Sequence, residues 1–303
     1  MAEEHIAADV LALVGNTPLL RLNRLPADGA AEVLVKVEAR SPGGSVKDRT
    51  ALGMVQAAER AGQLGPGATI VEATSGNTGV SLAMIAAVRG YRCVIVMPED
   101  MSLARRALLA RLGAEVVLTP AEEGMAGAVE EAERLAARTA GAFLPRQFDN
   151  PANPAIHAET TAGEIWRDCG GRLDAFVAGV GTGGTLSGVA RVLRERSPAL
   201  RVVAVEPARS AVLSGGEPGL HGIQGLGAGF VPRVLRRDLV DEVIAVEDQA
   251  AERTAELLAR REGLLVGPSS GAAVWAALRV ADRLGRGARV VTVLPDSVER
   301  YLR

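Results

Sequence analysis

Aromatic side chains are scarce in this chain, at 3% of 303 residues. That leaves no set of stacking platforms for single-stranded nucleic acid. An excess of charge of either sign is also missing. A formal net charge of −2 provides no field to attract a polyanion or an anionic membrane surface. The only cysteines, Cys93 and Cys169, are far apart in sequence. Each reads as a small core residue in a reducing compartment, not as part of a disulfide or metal framework. The three histidines, His5, His157 and His221, lack metal-ligand spacing and read as surface or satisfied interior residues. The opening MAEEHIAADV lacks the basic and apolar regions of a secretory signal. Uncharged runs at 73–88, 175–190 and 263–278 contain glycines and fall short of the ~20 apolar residues a membrane helix needs. A cytoplasmic location is the expectation. The sharpest scarcity is lysine: of 34 basic residues, only Lys36 and Lys47 are not arginine.

What the chain does contain is alternation. ATIVEA, RCVIVMP, EVVLTP, DAFVAGV, RVVAVEP, GLLVG and RVVTVLP read as strands. GVSLAMIAAVRG, SLARRALLARLG, GMAGAVEEAERLAARTAG, TLSGVARVLRERS and AAVWAALRVADRLG carry apolar residues at helical spacing. Strands and helices in turn predict an α/β protein with mostly parallel sheets covered on both faces. The length suits about two domains of ~150 residues, each with three layers. The seam falls near PRQFDNPANP (145–154). It divides the chain into an N-terminal unit, 1–147, and a C-terminal unit, 148–303. The first ~35 residues are expected to pack on the second unit.

The three uncharged runs fit this map as strand, glycine–hydroxyl loop, helix: EATSGNTGVSL, FVAGVGTGGTLSGVA and LLVGPSSGAAVW. Each predicts unpaired N–H groups and hydroxyls at a helix N-terminus on the carboxyl edge of a sheet, where anions and ligands bind. Turn chemistry alone would explain one such loop; three favour a ligand with several anionic groups.

Two motifs point elsewhere. Gly179–Gly184, GVGTGG, satisfies G-x-G-x-x-G, and Glu206 follows at about the interval expected of an NAD-dependent Rossmann dehydrogenase. That alternative leaves the other loops and Lys47 unexplained. Gly267–Gly271, GPSSG, fits the nucleophile elbow of α/β-hydrolases. That fold needs its histidine after the serine, whereas all three histidines precede Ser269.

Lys47 lies in SPGGSVKDRT. Arginine keeps its proton; lysine can become a primary amine that forms a Schiff base with an aldehyde. With Ser45 capping the helix through DRTALGMVQAAERAG, Lys47 falls in its first turn. The positive helix end and partial desolvation there would lower its pKa. Pyridoxal 5'-phosphate offers an aldehyde, a phosphate, a phenolic oxygen and a ring nitrogen, and the loops supply candidate partners for each. Lys36, on the strand VLVKVEAR, reads instead as half of a structural ion pair.

PGGSVKDR, EATSGNTG, QFDNPANP, GTGGTLSGV, VEPARSAVLSGG, IQGLGAGFVP, GPSSGAAV and LPDSVERYL, in that order, resemble the cysteine synthase (O-acetylserine sulfhydrylase) family. The likeness runs from GNTPLLRL at 15–22 to the C-terminus. It implies the tryptophan synthase β-like fold of fold-type II pyridoxal-phosphate enzymes. By that resemblance, Lys47 would hold the cofactor and act as the catalytic base. Gly181, Thr182, Gly183, Gly184 and Thr185 would cradle its phosphate, Asn77 would bond its phenolic oxygen and Ser269 would face its ring nitrogen. Thr74, Ser75, Thr78 and Gln147 would hold the substrate carboxylate. The implied reaction is β-replacement of O-acetyl-L-serine by sulfide, giving L-cysteine and acetate. The resemblance also implies a homodimer and, as a possible partner, the C-terminal tail of serine acetyltransferase. O-phosphoserine or a larger sulfur donor, as in cystathionine β-synthase-like relatives, stays open as an alternative. The chain departs from the family pattern at Val298, where glycine is common.

Overall fold

The β-branched strands assemble into two sheets in the computed structural model, which describes residues 6–302; His5 lies outside them. In chain order the elements are β1 (Leu19–Arg21), β2 (Glu32–Val37), α1 (Lys47–Arg60), β3 (Thr69–Ala73), α2 (Asn77–Arg89), β4 (Arg92–Pro98), α3 (Leu103–Arg111), β5 (Glu115–Thr119), α4 (Gly124–Arg138) and β6 (Ala142–Phe143). They continue with α5 (Ala152–Ile156), α6 (Ala162–Asp168), β7 (Ala175–Gly179), α7 (Gly184–Arg196), β8 (Arg201–Pro207), β9 (Glu242–Val246), α8 (Asp248–Leu257), α9 (Pro268–Leu284) and β10 (Arg289–Leu294). The smaller sheet has the order β5-β4-β3-β6 and the larger β1-β2-β10-β7-β8-β9. Every pairing is parallel except β1 with β2. Residues 19–37 thus supply two strands to the larger sheet.

Alternation along each strand builds a core on both faces. Val33, Val35, Val203 and Val205 pack under α8 and α9. Their neighbours Leu34, Val202 and Ala204 pack on the opposite face, under α6 and α7. In the smaller sheet Ile70 and Ile95 meet α1 and α2, while Val71, Val94 and Val96 meet α4. A period of two with both sets apolar is the signature of a sheet covered twice. Cys93 and Cys169 are free and buried, and burial pushes their thiols up to about 12 and about 11.

GLLVG is not a strand; EVIAV, here β9, takes the edge beside β8. Gly263 ends the preceding helical turn with φ +72°, and the Leu264 N–H returns to the Leu258 carbonyl. Val266 is buried and Leu264 packs on the core, but Leu265 is 60% exposed. This segment covers the core without entering a ladder.

Lys36 is fully buried, and its Nζ sits 2.8 Å from Glu164 Oε2, so the ion-pair reading holds. Arg49 on α1 donates to Glu38 at 2.8 and 3.0 Å and to Glu164 at 2.7 Å twice. Thr17, Glu38, Arg49 and Glu164 therefore fasten the N-terminal segment, the end of β2, α1 and α6 to one another. The Arg49 and Lys36 cations hold the Glu164 carboxyl down to about 2, against its burial. Its stabilisation is therefore complete above the ordinary value near 4.5 and is lost as pH falls toward 2. Glu164→Gln should cost ~3–5 kcal/mol at neutral pH by leaving Arg49 underpaired. In urea unfolding, the gap between variant and wild type should narrow from about pH 5 to about pH 3.

Candidate active site

The turn before α1 is set by its own side chains. Asp48 Oδ2 accepts the Gly43 N–H at 2.7 Å and Ser81 Oγ donates to its Oδ1 at 2.6 Å. The Val46 N–H bonds the Pro295 carbonyl at 2.8 Å, and Ser45 forms a bridge with Asp296. Lys47 falls in the first turn of α1, as expected, but Val46 and not Ser45 is the N-cap; Ser45 Oγ accepts the Lys47 N–H at 3.2 Å from one residue further back. Burial lowers the Lys47 pKa from the ordinary lysine value, and the Asp296 charge acts in the opposite sense.

Between β3 and α2, Thr74 Oγ1 accepts the Gly76 N–H at 3.1 Å. Thr78 Oγ1 donates to Gln147 Oε1 at 2.7 Å, joining two of the four carboxylate-binding candidates. Arg105 on α3 donates to the Ser75 carbonyl. Asn77, at the start of α2, donates its Nδ2 to Asp296 Oδ2 at 2.6 Å, which ties this loop to the segment after β10.

Gly181 to Thr185 link β7 to the start of α7. A Cβ on Gly181 would strike the Gly225 carbonyl, and one on Gly184 would strike Asn153. The loop's backbone thus comes as close to its neighbours as glycine permits. Ser269 is 3% exposed in the first turn of α9, after Pro268. With GLLVG not a strand, this third loop reaches the site another way. The Gly267 N–H approaches the Asp296 carbonyl at 3.4 Å, just beyond the carboxyl end of β10. Gly225 lies beside Ser269 as well as Gly181, so residues 222–229 connect the two loops.

The wall 207–233 holds no buried cation. Arg209 is exposed, Arg233 is exposed with Asp149 3.7 Å away, and His221 is half-buried with Nε2 3.2 Å from the Gly227 carbonyl. Glu206, the residue a dehydrogenase would turn to a ribose, is 1% exposed. It accepts the N–H groups of Leu213 and Ser214 at 2.7 and 3.1 Å, which spends it inside the fold. Among the described residues there is no cluster of three or more metal-ligating side chains and no helix long and apolar enough to cross a membrane.

Sequence reading missed Asp296, Tyr301, Asn153, Arg105 and the role of His157. Asp296 Oδ2 takes both Asn77 and, at 2.5 Å, the Tyr301 hydroxyl, leaving Oδ1 buried and unpartnered. Burial raises its pKa. LPDSVERYL carried Asp296 and Tyr301 and QFDNPANP carried Asn153, but nothing local reveals that Asp296 would meet Asn77 across 219 residues.

Residues 10–296 match the family model described as pyridoxal-phosphate dependent enzyme. The cysteine synthase of Staphylococcus aureus is 52% identical over 295 residues, 97% of this chain and 95% of that protein. The crystal structure of an O-ureido-L-serine synthase superposes with a TM-score of 0.94 at 48% identity, over 98% of this chain and 94% of the other. That of the Entamoeba histolytica cysteine synthase gives 0.94 at 40% identity, over 99% and 91%. A matching model over nearly the whole length, half-identical relatives and one shared fold give a single conclusion: this chain belongs to the pyridoxal-phosphate dependent enzyme family.

Proposed function

We propose that this chain is a cysteine synthase that replaces the acetoxy group of O-acetyl-L-serine with sulfide, releasing L-cysteine and acetate. The observation that carries the reading is Lys47, a buried amine of lowered pKa in a site that also contains three uncharged helix N-termini. The residues fit pyridoxal phosphate: the loop Gly181–Thr185 delivers uncharged backbone to the N-terminus of α7, where a phosphate is favoured. Gly181 and Gly184 pack so closely on Gly225 and Asn153 that no Cβ has room, and Thr182 and Thr185 add hydroxyls. Gly181, Thr182, Gly183, Gly184 and Thr185 would hold the phosphate, Lys47 the aldehyde carbon, Asn77 the phenolic oxygen and Ser269 the ring nitrogen. When bound, the cofactor supplies an electron-withdrawing group that makes the substrate α-proton acidic.

The chain's own residues do the rest. Thr74, Ser75, Thr78 and Gln147 bind the substrate carboxylate, and the part of 1–147 built on the smaller sheet closes over the larger sheet as they engage it. Lys47, once its amine is free, removes the α-proton and later returns it. Burial suits it to the task, because a depressed pKa leaves more unprotonated amine near neutral pH. Ser269 is neutral, so it tunes the ring nitrogen without fixing a proton there. The assembly that goes with this reading is a homodimer, and the C-terminal tail of serine acetyltransferase is the partner that would enter the same cleft.

The acetyl leaving group is favoured by the wall 222–230, GIQGLGAGF, which carries no charge. A site selecting O-phosphoserine should supply a buried cation, and the arginines of 207–233 are exposed. Arg105 and Arg300 stand near the site, but each has a donor engaged by a carbonyl, of Ser75 and Gly43. The expected result is a higher kcat/KM for O-acetylserine than for O-phosphoserine, with cysteine formation from sulfide as the assay. A preference for O-phosphoserine that vanishes in Arg209→Ala would overturn the leaving-group assignment. A colourless wild-type protein that forms no cysteine after loading with cofactor would overturn the function.

A further inference from the structure

Asn153 and His157 are both fully buried, and neither has a step in the reaction above. They stand four residues apart, on one face of the helical segment that runs from α5 into the π-turn His157–Thr161. Their side chains reach α1 on one side and the phosphate loop on the other. Asn153 Nδ2 lies 2.8 Å from the Gln147 carbonyl and 3.0 Å from Thr182 Oγ1. Its Oδ1 lies 3.4 Å from Thr50 Oγ1. His157 Nε2 lies 3.3 Å from Thr50 Oγ1 and 3.2 Å from Thr185 Oγ1, and Nδ1 lies 2.9 Å from Thr161 Oγ1.

The polarity of this network follows from one fixed point. A backbone carbonyl only accepts, so Gln147 requires the amide nitrogen of Asn153 on its side, and the Asn153 oxygen then faces Thr50. Thr50 has a single hydroxyl hydrogen, and the Asn153 oxygen takes it. Toward His157 the Thr50 oxygen can therefore only accept, which places the imidazole proton on Nε2. Burial and the charges of Arg49 and Lys47 hold the His157 pKa down to about 3. The ring is thus neutral, and its bare Nδ1 accepts from Thr161. Thr185 Oγ1 then accepts a share of the Nε2–H. Thr182 Oγ1 likewise accepts from Asn153 and, at 3.3 Å, from the Gly184 N–H.

We propose that Asn153 and His157 are positioning residues that occupy the lone pairs of Thr182 and Thr185, so that both hydroxyls donate their hydrogens to the cofactor phosphate. The proposal rests on the cofactor reading above. A phosphate near neutral pH carries up to two negative charges and accepts hydrogen bonds almost exclusively, so a hydroxyl presenting its lone pair would repel it. Thr182 and Thr185 could point either way on their own. The relay from Gln147 through Asn153, Thr50 and His157 leaves them one.

The wild-type holoenzyme offers a test without any substitution. Two-bond proton–nitrogen NMR of histidine-labelled protein should show His157 protonated at Nε2 with Nδ1 bare; a proton on Nδ1, or a charged ring near neutral pH, would overturn the proposal. Variants then separate polarity from packing. A glutamine amide places its nitrogen near the position of Nε2, an asparagine amide near that of Nδ1. His157→Gln should keep the pyridoxal phosphate dissociation constant within ~3-fold, while His157→Asn and Asn153→Asp should each weaken it at least ~10-fold, the cost of losing a hydrogen bond to a charged group. Equal losses in His157→Gln and His157→Asn, with folding intact, would reduce the site to packing and overturn the proposal. A wild-type chain that binds no pyridoxal phosphate would instead sink the cofactor reading and this relay with it.

Discussion

Exchanging Lys47 for arginine is expected to remove the visible absorbance of the loaded protein and to lower turnover at least ~10³-fold, since both the covalent attachment and the proton transfer depend on a free amine. Arginine keeps the positive charge that Asp296 acts on, so the variant separates charge from nucleophilicity. It cannot deprotonate in the working range and cannot bond to an aldehyde. Pyridoxal phosphate should still bind, without the covalent link, through the glycine cradle between β7 and α7. Absorbance spectra, cofactor content after dialysis and initial rates read the three effects separately. Wild-type rates in Lys47→Arg would remove the central assignment.

Replacing Ser269 with aspartate should slow cysteine formation by more than ~100-fold, if disturbing a tuned electrostatic arrangement costs about 3 kcal/mol. Ser269 is 3% exposed at the first turn of α9, where a hydroxyl adds no charge. With the ring nitrogen placed beside position 269 as proposed above, an aspartate would favour a proton on it. That would deepen the electron sink and hold electrons that elimination needs at the β-carbon. The spectrum of the loaded variant should shift as the ring nitrogen becomes protonated. Unchanged kinetics with cofactor bound would show that Ser269 does not face that nitrogen.

The two sheets were legible because residues such as Val33, Leu34, Val35 and Val202 to Val205 are apolar without interruption, and two-sided burial needs that pattern. Lys47 stood out because lysine is nearly absent elsewhere, and the Gly181–Thr185 loop because glycine and threonine follow a strand. GLLVG misled for the same reason that the others succeeded. Its apolar residues are needed by the core, yet nothing local distinguishes a covering segment from a strand. EVIAV, with acidic neighbours and half-exposed residues, carried a weaker pattern and proved to be the edge strand.

By itself, the sequence determined the fold class, the two-sided sheets, the chemistry available to Lys47 and the neutral character of the loops around it. These depend on side-chain type and on spacing within a few residues. Only the tertiary structure decided that Asn77 donates to Asp296, that Glu206 is spent on Leu213 and Ser214, that Arg49 locks Glu38 to Glu164, and that Asn153 and His157 stand behind the Gly181–Thr185 loop. The physical reason is range. Periodicity and turn chemistry act between neighbours along the chain, whereas hydrogen-bond polarity and the pKa of a buried group depend on partners that folding brings in from 100 or more residues away, such as Asp296 for Asn77 and Glu164 for Arg49.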